Sequence, residues 1–354
     1  MLESATVSSS KLRLPMARTP KLRDTHISLA HGNGGRLMRE LIEGLFAPAL
    51  ANAQLDVNAD AVCLPMPGDR ELVVTTDGFT VQPLEFPGGN IGSLAVHGTV
   101  NDLAVSGAVP RYMTLSVFLE EGLEIALLRR VIDALANAAR DCGVMVVAGD
   151  TKVVGRGDCD GMYLATTGVG FRLPGTCFAL DQVRAGDRIL ISGPIGEHGA
   201  AVMLAREQFG LRGDLASDAA SVLPQAEALM TVSGLRFMRD PTRGGLATVA
   251  HELARTTGLT VQLSEAQIPV SESVQSVCEL LGFDPLYLAC EGRIVAVVAP
   301  EAADASLAAL RGVAPRAALI GELRPGSPQV ILDTAFGGQR ALDELEDDPL
   351  PRIC

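Results

Sequence analysis

The chain has 354 residues, of which 47% are hydrophobic and 20% charged, so it can bury large cores and is not an intrinsically disordered protein. Its formal net charge of −13 excludes a general electrostatic affinity for nucleic acid or for an anionic membrane surface. No run of about 20 apolar residues is present, and we therefore expect no membrane-spanning helix, no nucleic-acid partner and no membrane partner.

The first 23 residues are rich in serine and basic side chains and lack the apolar run of a secretory signal. We expect residues 1–23 to form a disordered extension. The seven cysteines show neither a CxxC pair nor the spacing of metal ligands. This pattern favours reduced thiols, and hence a cytoplasmic location, over a disulfide framework.

A glycine-rich stretch, His31-Gly32-Asn33-Gly34-Gly35, comes before the first predicted helix, over residues 36–46. A glycine loop at a helix start could cradle an anion, although such turns are also common without one. Farther along the first half we predict strands over 72–76, 112–119, 144–148 and 163–169, and helices over 92–106 and 125–139.

After a predicted linker over 171–187, the second half again contains strands that are followed by glycine-rich loops and helices. Gly193-Pro194-Ile195-Gly196-Glu197-His198-Gly199 follows one strand, and Arg239-Asp240-Pro241-Thr242-Arg243-Gly244-Gly245 opens a helix. We predict strands over 188–192, 293–298 and, as the last one, 329–332, with helices over 223–232, 271–281 and 302–310. The fold class is therefore α/β (α+β), with two mixed α/β domains at 24–172 and 173–344 and a tail over 345–354.

Five polar residues occupy positions next to or within apolar segments, where burial of a polar side chain is unfavourable. They are Asp77 and Asp150 after strands, Asn101 and Asp102 inside an apolar helix, and Asp240 before a helix. The three residues beside strand or helix ends could equally be turn or cap residues. Asp102 needs a partner or a cation. Carboxylates would repel phosphate oxygens, so a nucleotide here would require Mg²⁺ between them. No Walker sequence is present.

Two further residues are candidates for chemistry. Lys152 is the only lysine after residue 21 in a chain that otherwise uses arginine, which indicates a need for a titratable amine, unless it is retained by chance. Glu291, in Ala289-Cys290-Glu291-Gly292, could be a catalytic carboxylate or a turn residue. The five histidines have no metal-site spacing.

The chain ends in Pro351-Arg352-Ile353-Cys354, after an acidic run that contains another proline. Prolines and like charges disfavour a helix and cannot bury apolar area, so we expect residues 345–354 to be extended and mobile. A thiol on such a tether could move into and out of a pocket; the alternative is a cysteine without function. The terminal carboxylate disfavours the thiolate and Arg352 favours it.

Taken together and in order, these stretches resemble the family of the hydrogenase maturation factor HypE, in the superfamily of phosphoribosylaminoimidazole synthetase, selenophosphate synthetase and thiamine-phosphate kinase. The Pro-Arg-Ile-Cys terminus is specific to HypE, whereas Gly78 stands where that family usually has serine. The matching stretches are His31–Gly35, Thr75-Thr76-Asp77, Phe86-Pro87-Gly88-Gly89, residues 98–103, Gly149 to Val154, Arg239 to Gly245, Ala289 with Glu291-Gly292, and the terminus.

The resemblance implies an aminoimidazole-ribonucleotide-synthetase-like fold and an ATP-dependent carbamoyl dehydratase. A carbamoyltransferase, HypF, would load the Cys354 thiol. The enzyme would phosphorylate the carbamoyl oxygen and eliminate phosphate to leave a thiocyanate, whose cyanide goes to the HypC–HypD complex. The resemblance also implies a homodimer formed through the N-terminal domains.

In that reaction Cys354 carries the carbamoyl group, and removal of both amide protons calls for bases, for which Lys152 and Glu291 are the candidates as a pair, in an order left open. If Glu291 instead pairs with Lys152, the lysine stays charged and stabilises the oxygen. The resemblance assigns Asp77, Asp102 and Asp240 to Mg²⁺. It assigns these residues to ATP: Gly32, Asn33, Gly34, Gly35, Asp77, Asn101, Asp102, Asp150, Thr151, Asp240, Arg243, Gly244 and Gly245. Two alternatives are a superfamily synthetase or kinase for a small free substrate and a non-catalytic carrier of cyanide or iron.

Overall fold

The computed structural model describes residues 22, 24–33, 35–57, 59, 61–176, 178–206, 215–345 and 352–354. Almost all of the predicted N-terminal extension, Gly34 and most of the predicted mobile tail therefore lie outside the described residues.

The first half contains two helices and a π-helical segment before its sheet, and two longer helices within it. In chain order the elements are α1 (Arg36–Leu41), the π segment (Ile42–Phe46), α2 (Ala47–Ala49), β1 (Glu71–Phe79), β2 (Glu85–Phe86), β3 (Gly89–Asn90), α3 (Ile91–Val105), β4 (Val109–Glu120), α4 (Ile125–Asp141), β5 (Met145–Val154) and β6 (Met162–Arg172).

The second half alternates helices and strands. Its elements are β7 (Arg188–Ile191), α5 (Glu197–Ala205), α6 (Leu223–Met230), β8 (Leu235–Arg239), α7 (Gly245–Thr257), β9 (Thr260–Ser264), α8 (Glu272–Leu281), β10 (Val295–Val298), α9 (Ala303–Val313), β11 (Ala318–Arg324), β12 (Val330–Asp333) and β13 (Gln339–Ala341).

The two halves are built on separate sheets. The first sheet has the order β1-β6-β4-β5, with β4 and β5 parallel and the other neighbours antiparallel. The second has the order β13-β12-β9-β11-β7-β10-β8. The strands β1 and β5 are thus the two edges of the first sheet, so predicted site residues on these two strands lie at opposite edges.

Helix α3 joins the halves. It is apolar on nearly all sides, because it packs on β1, β6 and α4 of its own half and on α6 and β8 of the other. Helix α4, by contrast, has one apolar face and one charged face, as expected for a helix at the surface. One hydrophobic core extends from the first sheet through α3 to α5 and α8, so the two halves are packed together by continuous apolar contacts.

Most predicted elements are present, but the predicted strand ends are wrong in two places. Strand β1 continues through Asp77, and β5 continues through Asp150 to Val154, so these acids lie within edge strands and not after them. Asp77 is half-buried and Asp150 exposed, so neither strand has to enclose a fully buried carboxylate.

Four strands of the second sheet were not predicted: β8, β9, β11 and β13. Segment 329–332 is therefore not the last strand. The missed strands carry buried or half-buried polar residues such as Gln262, which hide the apolar alternation. Within the described residues, no helix is long and apolar enough to cross a membrane.

Candidate active site

The last three residues of the chain are docked in the cleft between the two halves. Every backbone carbonyl of this segment accepts a hydrogen bond. Cys354 O accepts from Thr80 N at 3.1 Å and from Thr80 Oγ1 at 3.3 Å. Arg352 O accepts from Gln82 N at 3.1 Å and from Arg206 at 2.7 Å. The chain end is thus held by residues from both halves.

Side chains of the docked segment add to this anchoring. Ile353 is 2% exposed and belongs to the core shared by the two halves. Burial of a side chain of this size stabilises the docked state by about 1.5–3 kcal/mol. Arg352 forms an ion pair with Asp160, although its backbone is in the left-handed region, at φ = 60°. The described end of the predicted tail is therefore packed and hydrogen-bonded, unlike a free extension.

Docking brings the Cys354 sulfur to Arg243, whose Nη2 lies 3.4 Å from Sγ. Burial and the nearby Glu291 carboxylate raise the pKa of the Cys354 thiol to about 12, although Arg243 opposes the shift. The docked thiol is therefore protonated at neutral pH. The structure thus brings together three residues predicted to act in the site, Cys354, Arg243 and Glu291.

Four carboxyl groups interact electrostatically in this cleft: Glu291 and Asp77 act on the Cys354 thiol, and Asp240 interacts with Asp77, Asp102 and Glu291. Burial raises the pKa of Asp77 and of Asp102, and it raises the pKa of Asp240, with repulsion from Asp102, to about 7. Glu291 is 2% exposed, and burial together with Asp240 and Asp218 raises its pKa well above the usual range. No described residue forms a hydrogen bond with Glu291 Oε1.

A cation between these acids would relieve their repulsion, and their oxygens are the donors that Mg²⁺ prefers. However, within the part of the chain that the structure describes, no three acidic, histidine or cysteine side chains converge closely enough to hold a metal ion. Asp102 Oδ2 instead accepts a hydrogen bond from Thr75 Oγ1 at 2.7 Å, a contact that the sequence did not predict. Asp77, Asp102 and Asp240 could therefore supply only part of a magnesium coordination shell.

The loop from Asp240 to Gly245 delivers several predicted residues to this cluster. Gly244 and Gly245 have φ values of 74° and 60°, which favour glycine, and a Cβ on Gly245 would lie 2.5 Å from Leu288 O. Helix α7 then starts at Gly245, whose N–H donates to Thr242 O at 3.0 Å, so the positive end of its dipole follows directly on Asp240 and Arg243. Cys290 N donates to Pro241 O at 3.0 Å and so ties this loop to the one bearing Glu291.

Asn101 has a structural role that differs from the predicted contact with ATP. Its Nδ2 donates to Ala220 O and to Glu291 O, both at 3.1 Å, and its Oδ1 accepts from Val222 N at 2.8 Å. Both amide hydrogens are used, so the side chain joins α3 to the second half and fixes the backbone of Glu291. Asp218, which the sequence analysis missed, accepts from Glu291 N at 3.1 Å.

The other predicted site residues lie at the opposite edge of the first sheet. Gly32 packs against Val153, where a Cβ would lie 2.8 Å from the valine Cβ, and Asn33 Oδ1 accepts from Gly35 N at 2.9 Å. Lys152 is 59% exposed, and its Nζ lies 2.9 Å from Asp150 Oδ2. The predicted pairing of Lys152 with Glu291 is therefore absent within one chain.

Strands β6 and β4 separate this second group from Asp77 on β1. Three strand spacings amount to roughly 14 Å. Beside Asp150 and Thr151 there is a cavity of about 380 Å³, lined by apolar residues of α1, the π segment and β5. This volume is in the range of small-molecule sites. The predicted residues thus form two groups, one near Cys354 and one at the β5 edge, where Asp150 and Thr151 line this cavity.

Two sheets bridged by a buried helix, with an acidic cleft between them, define a protein of the AIR synthase related class. The family model of the AIR synthase related N-terminal domain matches residues 58–171, and that of the C-terminal domain matches residues 184–333.

Within that class, the chain belongs to the HypE family of hydrogenase maturation proteins. It is 46% identical over 337 residues to carbamoyl dehydratase HypE of Azotobacter vinelandii, covering 94% of this chain and 98% of that relative. The crystal structure of hydrogenase maturation protein HypE in complex with ATP is 44% identical, with a TM-score of 0.87 over 92% of this chain and 99% of that one. The HypE chain of a HypE–HypF complex is 40% identical, with a TM-score of 0.75 over 86% and 99% of the two chains.

Proposed function

We propose that this protein is an ATP-dependent carbamoyl dehydratase that acts on a carbamoyl group carried by its own Cys354. The observation that carries this proposal is the position of the Cys354 sulfur, 3.4 Å from Arg243 and beside the buried Glu291. The similarity to proteins named carbamoyl dehydratase HypE, and to one crystallised with ATP, supports the same activity.

The reaction needs phosphorylation because hydroxide is a very poor leaving group from an amide carbon. Transfer of the γ-phosphoryl group of ATP to the carbamoyl oxygen makes a P–O bond and releases ADP. The C–O bond then breaks, phosphate leaves, and the nitrogen gives up its two protons as the C≡N bond of the thiocyanate forms. The protein must therefore hold ATP against the sulfur-bound amide and accept two protons.

Glu291 suits the role of a proton acceptor. It is buried, its pKa lies well above the usual range for a carboxyl group, and its Oε1 has no partner among the described residues. A raised pKa makes the ionised carboxylate a stronger base than an ordinary one. We assign the second proton to Lys152, whose ammonium group must first release a proton, and leave the order of the two transfers open. Arg243, next to the sulfur, would stabilise negative charge that develops on the carbamoyl oxygen.

Mg²⁺ bound between the acids and the triphosphate would neutralise charge on the transferred group. Asp77, Asp102 and Asp240 would supply its protein ligands. Mg²⁺ commonly takes only one or two carboxylates and completes its shell with phosphate oxygens and water. A cluster that does not by itself enclose an ion is compatible with this mode of binding.

A homodimer could bring the two separated groups of site residues together, with one group from each subunit. We propose that the cavity beside Asp150 and Thr151 receives part of the nucleotide, and that the β5 edge of one subunit meets the Cys354 cleft of its partner. Leu72 and Val74 of β1 are 52% and 56% exposed, and Phe118 of β4 is 38% exposed, so the first sheet also has apolar surface for such an interface. Lys152 would then act on the partner's thiocarbamate.

The chain end must also meet other proteins. We propose HypF as the source of the carbamoyl group, which the HypE–HypF complex of a relative supports, and HypC–HypD as the recipient of cyanide. A thiol whose pKa is about 12 is a poor nucleophile at neutral pH, so loading requires the chain end to leave the cleft. We place this reaction in the cytoplasm.

The domain organisation fits this use of the chain. We propose residues 24–172 as the nucleotide-binding and dimerisation domain, 173–344 as the C-terminal α/β domain and 345–354 as the tail. All strands of the first sheet fall within 71–172 and all strands of the second within 188–341.

The activity is tested by the mass of the C-terminal peptide in carbamoylated protein incubated with ATP and Mg²⁺. We expect the loss of one water per chain and the release of one ADP. Glu291→Gln, which keeps the volume of the side chain but removes the base, should hold the mass at the carbamoylated value. Hydrolysis of ATP without a change in peptide mass in the unaltered protein would point to a free small-molecule substrate.

A further inference from the structure

His198 lies outside the machinery assigned above, yet it contacts the chain end. It is fully buried in the first turn of α5, and its Nε2 lies 2.7 Å from Ile353 O. A carbonyl oxygen only accepts, so Nε2 carries the proton and donates it. This bond holds the carbonyl that precedes the catalytic residue Cys354.

The other ring nitrogen is engaged by Ser217. Nδ1 lies 2.7 Å from Ser217 Oγ, and that oxygen accepts from Ala219 N at 3.0 Å. The hydroxyl hydrogen of Ser217 is therefore free to point at Nδ1. The result is a directed chain of hydrogen bonds from Ala219 N–H through Ser217 and His198 to Ile353 O, and it fixes the neutral Nε2–H tautomer. Burial lowers the pKa of His198, which favours the same neutral form.

Both members of this pair are held from several sides. Phe86 packs its edge against the His198 ring, with centroids 5.3 Å apart at 87°. Ser217 N donates to Pro87 O at 2.8 Å, and a Cβ on Gly88 would lie 2.9 Å from the Ser217 backbone. The imidazole therefore cannot turn away without disturbing the Phe86–Gly88 loop of the first half.

We propose that His198, oriented by Ser217, is the positioning residue that holds the chain end in the cleft and so sets how often Cys354 is at the reaction site. Its burial distinguishes it from the other anchors. Thr80 N and Gln82 N are backbone groups, the Thr80 hydroxyl makes a partly buried bond and the Arg206 side chain an exposed one, whereas the bond from His198 is buried. Ile353 O therefore has no water to replace the imidazole when it is lost.

The proposal is tested by alkylation of Cys354 with iodoacetamide, followed by the mass of the C-terminal peptide in protein that carries neither ATP nor a carbamoyl group. A docked sulfur is protected, so the alkylation rate reports the undocked fraction. His198→Leu keeps an apolar side chain of similar size without the donor and should raise the rate roughly tenfold or more. His198→Gln, whose amide can still donate, should stay near the wild-type rate.

His251→Leu, which removes a partly buried histidine from α7, is the matched control and should leave the rate unchanged. The wild-type rate in folded His198→Leu would overturn the proposal. Ser217→Ala provides a second variant, with an increase of roughly threefold or more expected; an unchanged rate there would overturn the proposal even if His198→Leu failed to fold.

This assay does not depend on the chemistry of the proposed dehydratase, so the two can fail separately. If the dehydratase function holds, His198→Leu should also slow water loss from pre-carbamoylated protein by a similar factor. Loading by the carbamoyltransferase, which needs the chain end outside the cleft, should not be slowed.

Discussion

Asn101 in α3 and Glu291 in the loop before β10 are joined directly, since Asn101 Nδ2 donates to Glu291 O at 3.1 Å. The two residues come from different halves of the chain and are buried to 1% and 2% exposure. The backbone of Glu291, whose pKa burial raises well above the usual range, is thus held by an amide from helix α3 of the other half.

Replacing Asn101 with alanine should therefore affect both stability and catalysis. The change removes three hydrogen bonds. It leaves Ala220 O without this donor and the Val222 N–H without this acceptor, so we expect a loss of about 3 kcal/mol in the free energy of unfolding. Single-turnover water loss should slow by at least tenfold as Glu291 shifts. Urea unfolding and peptide mass would measure the two effects. Asn137→Ala, on the exposed face of α4, is the control and should change neither; a stable, fully active Asn101→Ala would contradict the role given to this residue.

Gly292 tests how closely the Glu291 loop is packed. A Cβ at this position would lie 1.9 Å from Asp218 O, a backbone atom that cannot easily move. We expect Gly292→Ala to displace the loop, to lower the free energy of unfolding by more than about 2 kcal/mol and to abolish water loss.

The matched control is Gly312→Ala in α9, where a Cβ would meet no atom within 4 Å. This change should stabilise the protein by about 0.5–1 kcal/mol, because alanine favours the helix. Equal effects of the two substitutions, measured by urea unfolding, would show that the loop is not tightly constrained.

Asp240 makes stability depend on pH in a defined direction. Burial and the neighbouring acids raise its pKa to about 7 from an ordinary 3.8. Between these two values the folded protein holds a proton that the unfolded chain releases, so this group lowers stability as pH rises towards 7, and the penalty is constant above that.

Asp240→Asn should remove this penalty in protein free of Mg²⁺ and ATP. We expect a gain in the free energy of unfolding of about 4 kcal/mol at pH 8 and about half of that at pH 5.5, measured in urea. Asp141→Asn, an exposed acid of α4, should give little change at either pH. A gain for Asp240→Asn that is the same at both values would exclude titration of Asp240 as the cause.

A site shared between subunits predicts complementation. Lys152→Ala and Glu291→Gln should each be inactive in water loss. If Lys152 acts on the partner's Cys354, each mixed dimer contains one site with both residues intact, so random mixing of equal amounts should restore about a quarter of the wild-type sites. Activity should stay at zero on mixing if both residues of a site belong to one chain. Wild-type protein unfolded and refolded in the same way controls for losses in the exchange of subunits.

The element order could be predicted from the sequence because helices, strands and glycine turns depend on local patterns, and the same patterns selected candidate site residues that the structure places in the cleft. Helix α4 shows its apolar period, and the loop ending in Gly244 and Gly245 shows the glycines that its positive φ values require. Strand limits were harder to predict. Asp77 and Asp150 look like residues after a strand, but each lies in an edge strand, where a polar side chain can reach solvent.

Relationships between distant parts of the chain could not be predicted. The docked position of Cys354 depends on Thr80, His198 and Arg243, which are 274, 156 and 111 residues away in sequence. Nothing in the composition of the tail indicates them. A signal for His198 did exist, since it stands between glycines where a strand gives way to a helix, but its partner Ser217 has no such context.

The anchors of the chain end hold its main-chain oxygens and the Ile353 side chain, and among the described residues the hydrogen bond to the sulfur comes from Arg243. The chain end should consequently dock in the cleft with nearly equal affinity whether Cys354 carries a free thiol, a thiocarbamate or a thiocyanate. Conversion of one into the next then cannot by itself expel the product, so release of the cyanide-bearing end has to be driven by a different event, such as the departure of phosphate from the cleft.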